Sequence, residues 1–454
     1  MAKRILLKGA TIITMEPSIG TLVGDILVEG RRIVQIGAVI DASADETLDL
    51  KGRIVIPGLI NAHMHTWQTG LRGVAANWTL LQYFARMHAG LAECFEPEDI
   101  GIATLVGAIN QINCGTTTLV DWCHNNPTPA HTNAAVEGLL DSGIRSVFLH
   151  GSPKPDPKPG QPHFSEIPHP RGEIERLRRG PLSDDRALVT LGMAILGPHY
   201  STLDVSRADL RLAREFGLLA SMHQGGGPEK APGGWEALMA EGLIGPRVNI
   251  VHGNGLTDAQ LSALVERGVS FSLAPEGELT QGHGHPIIGR LRDRGAKPTV
   301  GIDLESINSG DLFTCARMAL ASQRGLDNQA SRQRTGQPPA TSTITTREAL
   351  EWITVNGARM LGMEDRIGSL AVGKEADIVI IDARMLNMQP VHDPVSSVVF
   401  QTSLANIEAV MIAGRWMKKD LKLVREGVEA LTGKLARSGA AILERFSRKS
   451  GTAH

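Results

Sequence analysis

The sequence predicts an α/β fold, an eight-stranded parallel β/α barrel inserted between the two halves of a small sheet domain. Three observations carry this. β-rich segments lie at both ends of the 454-residue chain. The roughly 300 residues between them alternate strand-like with helix-like runs. Titratable side chains recur where the strand-like runs end, the rim at which barrels place their chemistry.

The N-terminal runs RILLKGATIITM, GDILVEGRRIVQIGAV and ETLDLKGRIVIPG combine glycine turns with valine and isoleucine pairs, the texture of short strands. GSLAVGKEADIVIIDA and IEAVMIAGRWMKKD repeat it near the other end. Residues 1–57 and 366–420 are therefore assigned to one composite domain and 58–365 to the barrel. The eight barrel strands are IVIPGLINAHMH, GTTTLVDW, IRSVFLHG, ALVTLGMAILGPHY, GLLASMHQGG, RVNIVHGN, VSFSLAPEGE and KPTVGIDLES. Helix-like segments such as EDIGIATLVGAINQIN, TNAAVEGLLDSG and DAQLSALVERG lie between most of them. In the first run Pro57, Gly58 and Asn61 mark the passage from strand to loop. The proline- and charge-rich segment 151–181 follows the third strand and reads as a specificity lid or a surface insertion. Residues 421–454 form a helical tail whose apolar stripe packs on its own chain or a sister subunit.

A hydrophobic fraction of 42% is enough for a large core, and 50 glycines imply many tight turns. The net charge of −2 gives no footprint for nucleic acid or an anionic membrane. No stretch approaches the roughly 20 apolar residues of a membrane span. MAKRILLKGATIITM lacks a signal peptide's apolar centre, and the four cysteines (Cys94, Cys114, Cys123, Cys315) are too scattered for a disulfide framework. A cytoplasmic enzyme acting on a small molecule is the expectation.

Residues two apart on a strand share a face, so His63 and His65 reach one ion from a single strand end. His199, His223 and His252 end later strands, and Asp303 ends the last. Each alone reads as a structural residue; together they form an array at one rim. Neutral imidazoles with an aspartate suit zinc or iron(II). Such an ion lowers the pKa of a water to about 7. Asp303 then accepts the water's proton, while His252 and His199 face the substrate. Trp67 and Gln68 follow the metal pair and are assigned to the pocket wall, near Trp78 and Tyr83.

These residues, with PGLINAHMHTWQTGLRG, GTTTLVDW, GPHYST, VHGNGLT and IGSLAVGKEADIVIID, resemble the amidohydrolase superfamily, in its cytosine deaminase and triazine hydrolase branch. The resemblance spans nearly the whole chain. It implies a distorted (β/α)8 TIM barrel inserted into a composite β-sandwich, and a homo-oligomer. It implies one divalent ion, Zn2+ ahead of Fe2+, on His63, His65, His223 and Asp303, with Asp303 also the general base. His252 and His199 match substrate-contacting positions.

One position departs from that pattern. The branch's deaminases carry, three residues after the fifth-strand histidine, a glutamate that shuttles a proton to the ring nitrogen; here it is Gly226. Glu229, Glu276, Glu278 and His252 are the replacements the sequence offers. Such a shuttle is worth roughly 10²–10⁴-fold. The expectation is therefore hydrolysis of a non-peptide C–N bond (amide, amidine or ring amino group) in a small heterocyclic or aromatic compound. Hydrolytic dechlorination or deamination of triazine- or purine-like rings is the alternative, and a non-catalytic binding barrel the remote one.

Overall fold

The computed structural model describes residues 2–450. The chain divides into two compact units, Met1–Ala62 with Asn110–Thr118 and Asp311–Glu426, and His63–Ile109 with Leu119–Gly310 and Gly427–His454.

The first N-terminal strands are β1 (Arg4–Ile13), β2 (Thr21–Glu29), β3 (Arg32–Gly37), β4 (Glu46–Asp49) and β5 (Arg53–Pro57). The barrel strands are β6 (Leu59–Met64), β7 (Thr116–Cys123), β8 (Arg145–Gly151), β9 (Val189–Ile195), β10 (Ala220–Gln224), β11 (Val248–His252), β12 (Ser270–Leu273) and β13 (Thr299–Val300). The last four are β14 (Ile378–Asp382), β15 (Ile407–Ile412), β16 (Arg415–Lys419) and β17 (Lys422–Leu423).

Strands from the two chain ends form one mixed sheet in the order β17-β16-β15-β14-β5-β1-β2-β3, with β4 alongside β1. The junction is β14 running antiparallel to β5, with Ile378 opposite Pro57 and Ile380 opposite Val55. Ile5, Leu7, Ile12, Ile26, Val55, Ile378, Ile380 and Met411 share one buried cluster. Apolar side chains from both halves are thus removed from water together, which holds the distant segments in one domain.

The run IVIPGLINAHMH is divided between the two sheets, where the sequence suggested one strand passing into a loop. Gly58 is the joint. A Cβ there would lie 2.0 Å from Thr117 Oγ1, so only glycine fits. Asn61 lies inside β6, where its amide donates to Gln111 Oε1 at 3.1 Å.

The second sheet is the barrel, ordered β13-β12-β11-β10-β9-β8-β7-β6 in simple sequence succession. Its strands pair in parallel from β8 to β13. Buried residues fill β7, β8 and β9 completely, as befits strands covered on both faces. The sheet's two ends meet through Asp303 N–H to His63 O at 3.0 Å and His65 N–H to Asp303 O at 2.7 Å. A Cβ on Gly301 would come within 2.5 Å of the His63 backbone, so the closure needs a bare backbone there.

The helices obey local rules. Pro129–Ser142 starts with proline in its first turn and stops at left-handed Gly143. Asp258–Glu266 opens on a Thr257/Gln260 capping box. Of the two fates expected for the tail's stripe, packing on its own chain is observed. In the helix Val428–Ser450, Leu435 joins Ile102, Ala103 and Val106, and Ser438 donates to Asp99 at 2.5 Å. Segment 151–181 carries a short turn, Phe164–Glu166, and a helix, Arg171–Arg179. Glu276 and Glu278 sit on a helix, Pro275–Gln281, whereas the sequence placed them at the end of the strand-like run VSFSLAPEGE; the strand itself ends at Leu273. Among the described residues no helix is long and apolar enough to cross a membrane.

Candidate active site

Strand β6 delivers His63 and His65, β10 delivers His223, and Asp303 follows β13. One ligand atom from each of these four lies within 4.8 Å of the others. His63 Nε2 stands 3.2 Å from Asp303 Oδ1 and 3.2 Å from His223 Nε2. His65 Nε2 is 3.3 Å from the same carboxylate oxygen. Ligands around a tetrahedral zinc, with bonds of about 2.0–2.1 Å, stand roughly 3.3 Å apart. A single proton cannot bridge all of these contacts, whereas a cation at their centre satisfies every one.

The surroundings keep the ring atoms in ligand form. His65 Nδ1 donates to the Trp122 carbonyl at 2.6 Å, which leaves the Nε2 lone pair facing the quartet. Burial holds His63 down to about 4, and burial with the neighbouring His63 holds His223 well below the ordinary histidine value. Both are therefore neutral near pH 7. Burial works to raise the Asp303 carboxyl, but the adjoining His63 and His65 imidazoles hold it well below the usual carboxylate range. An anion among neutral imidazoles is a donor set suited to a divalent ion.

Two residues of the site adopt left-handed backbone, His252 (φ 67°) and Asp303 (φ 64°). Such conformations cost a non-glycine residue about 1–3 kcal/mol each and persist where the surroundings enforce them. The His252 Nδ1–H donates to Glu278 Oε1 at 3.0 Å, and the same oxygen accepts from the Ala274 N–H at 2.8 Å. Burial opposes the charge on His252, but the Glu278 hydrogen bond and the Asp303 charge outweigh it and raise its pKa. His252 is thus built to hold a proton beside the quartet.

His199 is oriented by a second chain. The Trp235 Nε1–H donates to Gln224 Oε1 at 3.0 Å, and the Gln224 amide faces His199 Nδ1 at 3.1 Å. That amide is a donor, so the His199 proton sits on Nε2. Burial holds His199 down to about 4, making it a neutral donor.

A narrow cleft opens onto the quartet, lined by His65, His223, His252 and Asp303 with Tyr83, Phe84, His88, His124, Lys154, Tyr200, Gln281 and His283. The remaining residues assigned from sequence fall elsewhere. Trp67 is fully buried behind the cleft, edge-on to Phe95 and His124. Gln68 donates to the Tyr83 hydroxyl at 2.6 Å and accepts from Ser306 at 2.7 Å, so it positions a wall residue. Glu276 turns to Ser309, accepting from its N–H and hydroxyl. Glu229 is absent from the cleft lining, and a Cβ on Gly226 would meet nothing within 4 Å. His283 faces the cleft while His285 is exposed.

Sequence reasoning passed over His88, Lys154 and Tyr200. His88 Nδ1 stands 3.1 Å from His124 Nε2, on a single π-type turn, Phe84–His88, a distortion frequent at functional sites. Lys154 sits in a proline-rich run that reads as solvent-facing; nothing local signals its burial. The signal for Asp121 was present in GTTTLVDW. Its carboxylate accepts from the Thr66 N–H and hydroxyl, fixing the turn after His65, and burial raises it to about 6.

Comparison with known proteins gives a consistent picture. The profile described as "Amidohydrolase family" matches residues 54–417. A 5'-deoxyadenosine deaminase of Methanosarcina mazei is 27% identical over 434 residues, covering 92% of this chain and 94% of the relative. A 5-methylthioadenosine/S-adenosylhomocysteine deaminase of Syntrophobacter fumaroxidans is 28% identical over 418 residues, 86% of each chain. The crystal structure of an atrazine chlorohydrolase from Arthrobacter aurescens TC1, complexed with zinc, superposes with a TM-score of 0.83 at 21% identity, covering 96% of this chain and 100% of its own.

Proposed function

This chain belongs to the amidohydrolase family and is a hydrolase acting on carbon–nitrogen bonds; from that premise we propose a site, an ion and a mechanism. One divalent ion, zinc ahead of iron(II), is held by His63, His65, His223 and Asp303. The observation that carries this is the convergence of those four ligand atoms within 4.8 Å. When bound, such an ion lowers the pKa of a coordinated water to near neutrality.

The chain's own residues do the rest. Asp303 accepts the proton of the attacking water. His252, kept protonated by Glu278 at 3.0 Å, donates to the departing nitrogen as the C–N bond breaks. His199 donates from Nε2 to the substrate's polar edge. Glu278 thus acts through His252, and Gln68 through Tyr83. The open space at Gly226 supports this division of labour, because no carboxylate projects from that position.

The substrate class proposed is a small heterocyclic or aromatic compound carrying an amide, amidine or ring amino group. The curated relatives' names, deaminases of adenine nucleosides, support the ring amino group. The same site would serve hydrolytic displacement on a triazine ring, which product analysis for halide against ammonia separates. The reading includes a cytoplasmic homo-oligomer, which sedimentation and cell fractionation test. The deciding experiment is metal analysis with turnover on a panel of amides, amidines and aminated rings. About one ion per chain, lost with turnover in His63→Ala, is expected. An active enzyme without metal would overturn the assignment.

A further inference from the structure

Lys154 is a buried cation without a counter-ion. It is 8% exposed and lines the cleft together with His65, His223 and Asp303. Its ammonium lies 4.9 Å from the centre of the Tyr200 ring and 5.7 Å from that of Trp122. Aromatic faces at this range stabilise a charged ammonium, but neither can neutralise it. Among the described residues Lys154 makes no hydrogen bond or ion pair.

The carboxylates of the cleft are already engaged. Asp303 is held by His63 and His65, and Glu278 by His252 and the Ala274 amide. The other polar groups lining the cleft are imidazoles, phenol hydroxyls and an amide, none of them anionic. Burial pulls the Lys154 ammonium down to about 8, with the Asp303 charge opposing. A charge removed from water is strongly unfavourable unless it is paired. The aromatic brace holds this one at the wall of the cleft that opens onto the quartet.

We propose that Lys154 is the counter-charge for an anionic group of the substrate, so that this cleft selects small heterocycles bearing a carboxylate or ring oxyanion over neutral ones. This deepens the hydrolase reading and rests on it, since the anionic group is taken to belong to the compound being hydrolysed. The segment after β8 then supplies a specificity residue, with the Trp122 and Tyr200 faces holding the ammonium in position.

Matched pairs of ligands test it: nicotinate against nicotinamide, and orotate against its methyl ester. Binding is followed by calorimetry and by Trp fluorescence, with both metal-free and zinc-loaded protein. The expected result is a preference for the anion of about tenfold or more in both forms. Lys154→Met removes the preference while neutral partners bind as before; Lys154→Arg retains part of it. No preference in the parent protein, a preference that survives Lys154→Met, or one seen only with zinc present would each overturn the proposal. If the preference holds but no C–N bond is cleaved in any panel member, the hydrolase mechanism fails and the anion site stands.

Discussion

Asp303 and His63 are joined twice. The Asp303 amide donates to the His63 carbonyl at 3.0 Å, and its carboxylate stands 3.2 Å from His63 Nε2. One pair of residues closes the barrel through its backbone and brings two of the four candidate ligands together through its side chains. Closure and ligand geometry are therefore a single structural event, and substitutions separate them.

Asp303→Asn leaves both backbone bonds intact. The fold should hold, with thermal unfolding close to that of the parent, while turnover falls by roughly 10²–10⁴-fold. Gly301→Ala does the reverse. A methyl group 2.5 Å from the His63 backbone forces the closing strands apart, at a cost of about 1–3 kcal/mol. Calorimetric unfolding reads the loss of stability, and zinc titration reads a weakened site. A Gly301→Ala protein with parental stability and affinity would refute the coupling.

Removing the ion should both silence and soften the enzyme. Chelation with dipicolinate is expected to abolish activity, and stoichiometric zinc to restore it. A ligand at a hundred times its dissociation constant stabilises the folded state by about 2.7 kcal/mol. The unfolding temperature should rise with zinc in the parent protein and stay flat in His223→Ala.

The His252–Glu278 pair sets the alkaline limb of the rate profile. The carboxylate raises the pKa of His252, so the protonated acid persists above the ordinary histidine value and is lost as pH rises through the raised one. Glu278→Gln removes that support. The alkaline limb of kcat/KM should shift to lower pH, with Glu278→Asp partly restoring it. An unmoved limb would take His252 out of the acid role.

Gly226 marks an open door. Its Cβ position is clear of neighbours and its φ is not left-handed. Gly226→Glu should fold normally and place a carboxylate where related deaminases carry theirs. Ammonia release from adenosine-type substrates is expected to increase at least tenfold over the parent, within the range of one added acid–base group. No gain in a well-folded variant would show that the position alone does not confer ring deamination.

The local sequence carried the period-two pattern that puts His63 and His65 on one face, the strand–helix alternation that implies a parallel barrel, and the strand-end placing of His223, His252 and Asp303. Those features depend on short-range stereochemistry and on hydrophobic periodicity, and both are written residue by residue. Tertiary structure alone decided that Gly58 divides one apolar run between two sheets, that Glu278 turns to His252 while Glu276 turns to Ser309, and that Lys154 is buried among aromatic rings. Each depends on the partner a side chain meets across the fold. Two glutamates two residues apart on a seven-residue helix look alike in sequence; they differ because one points to a buried imidazole and the other to an exposed serine. A lysine between prolines carries no local sign of burial, because burial is conferred by the walls that close over it.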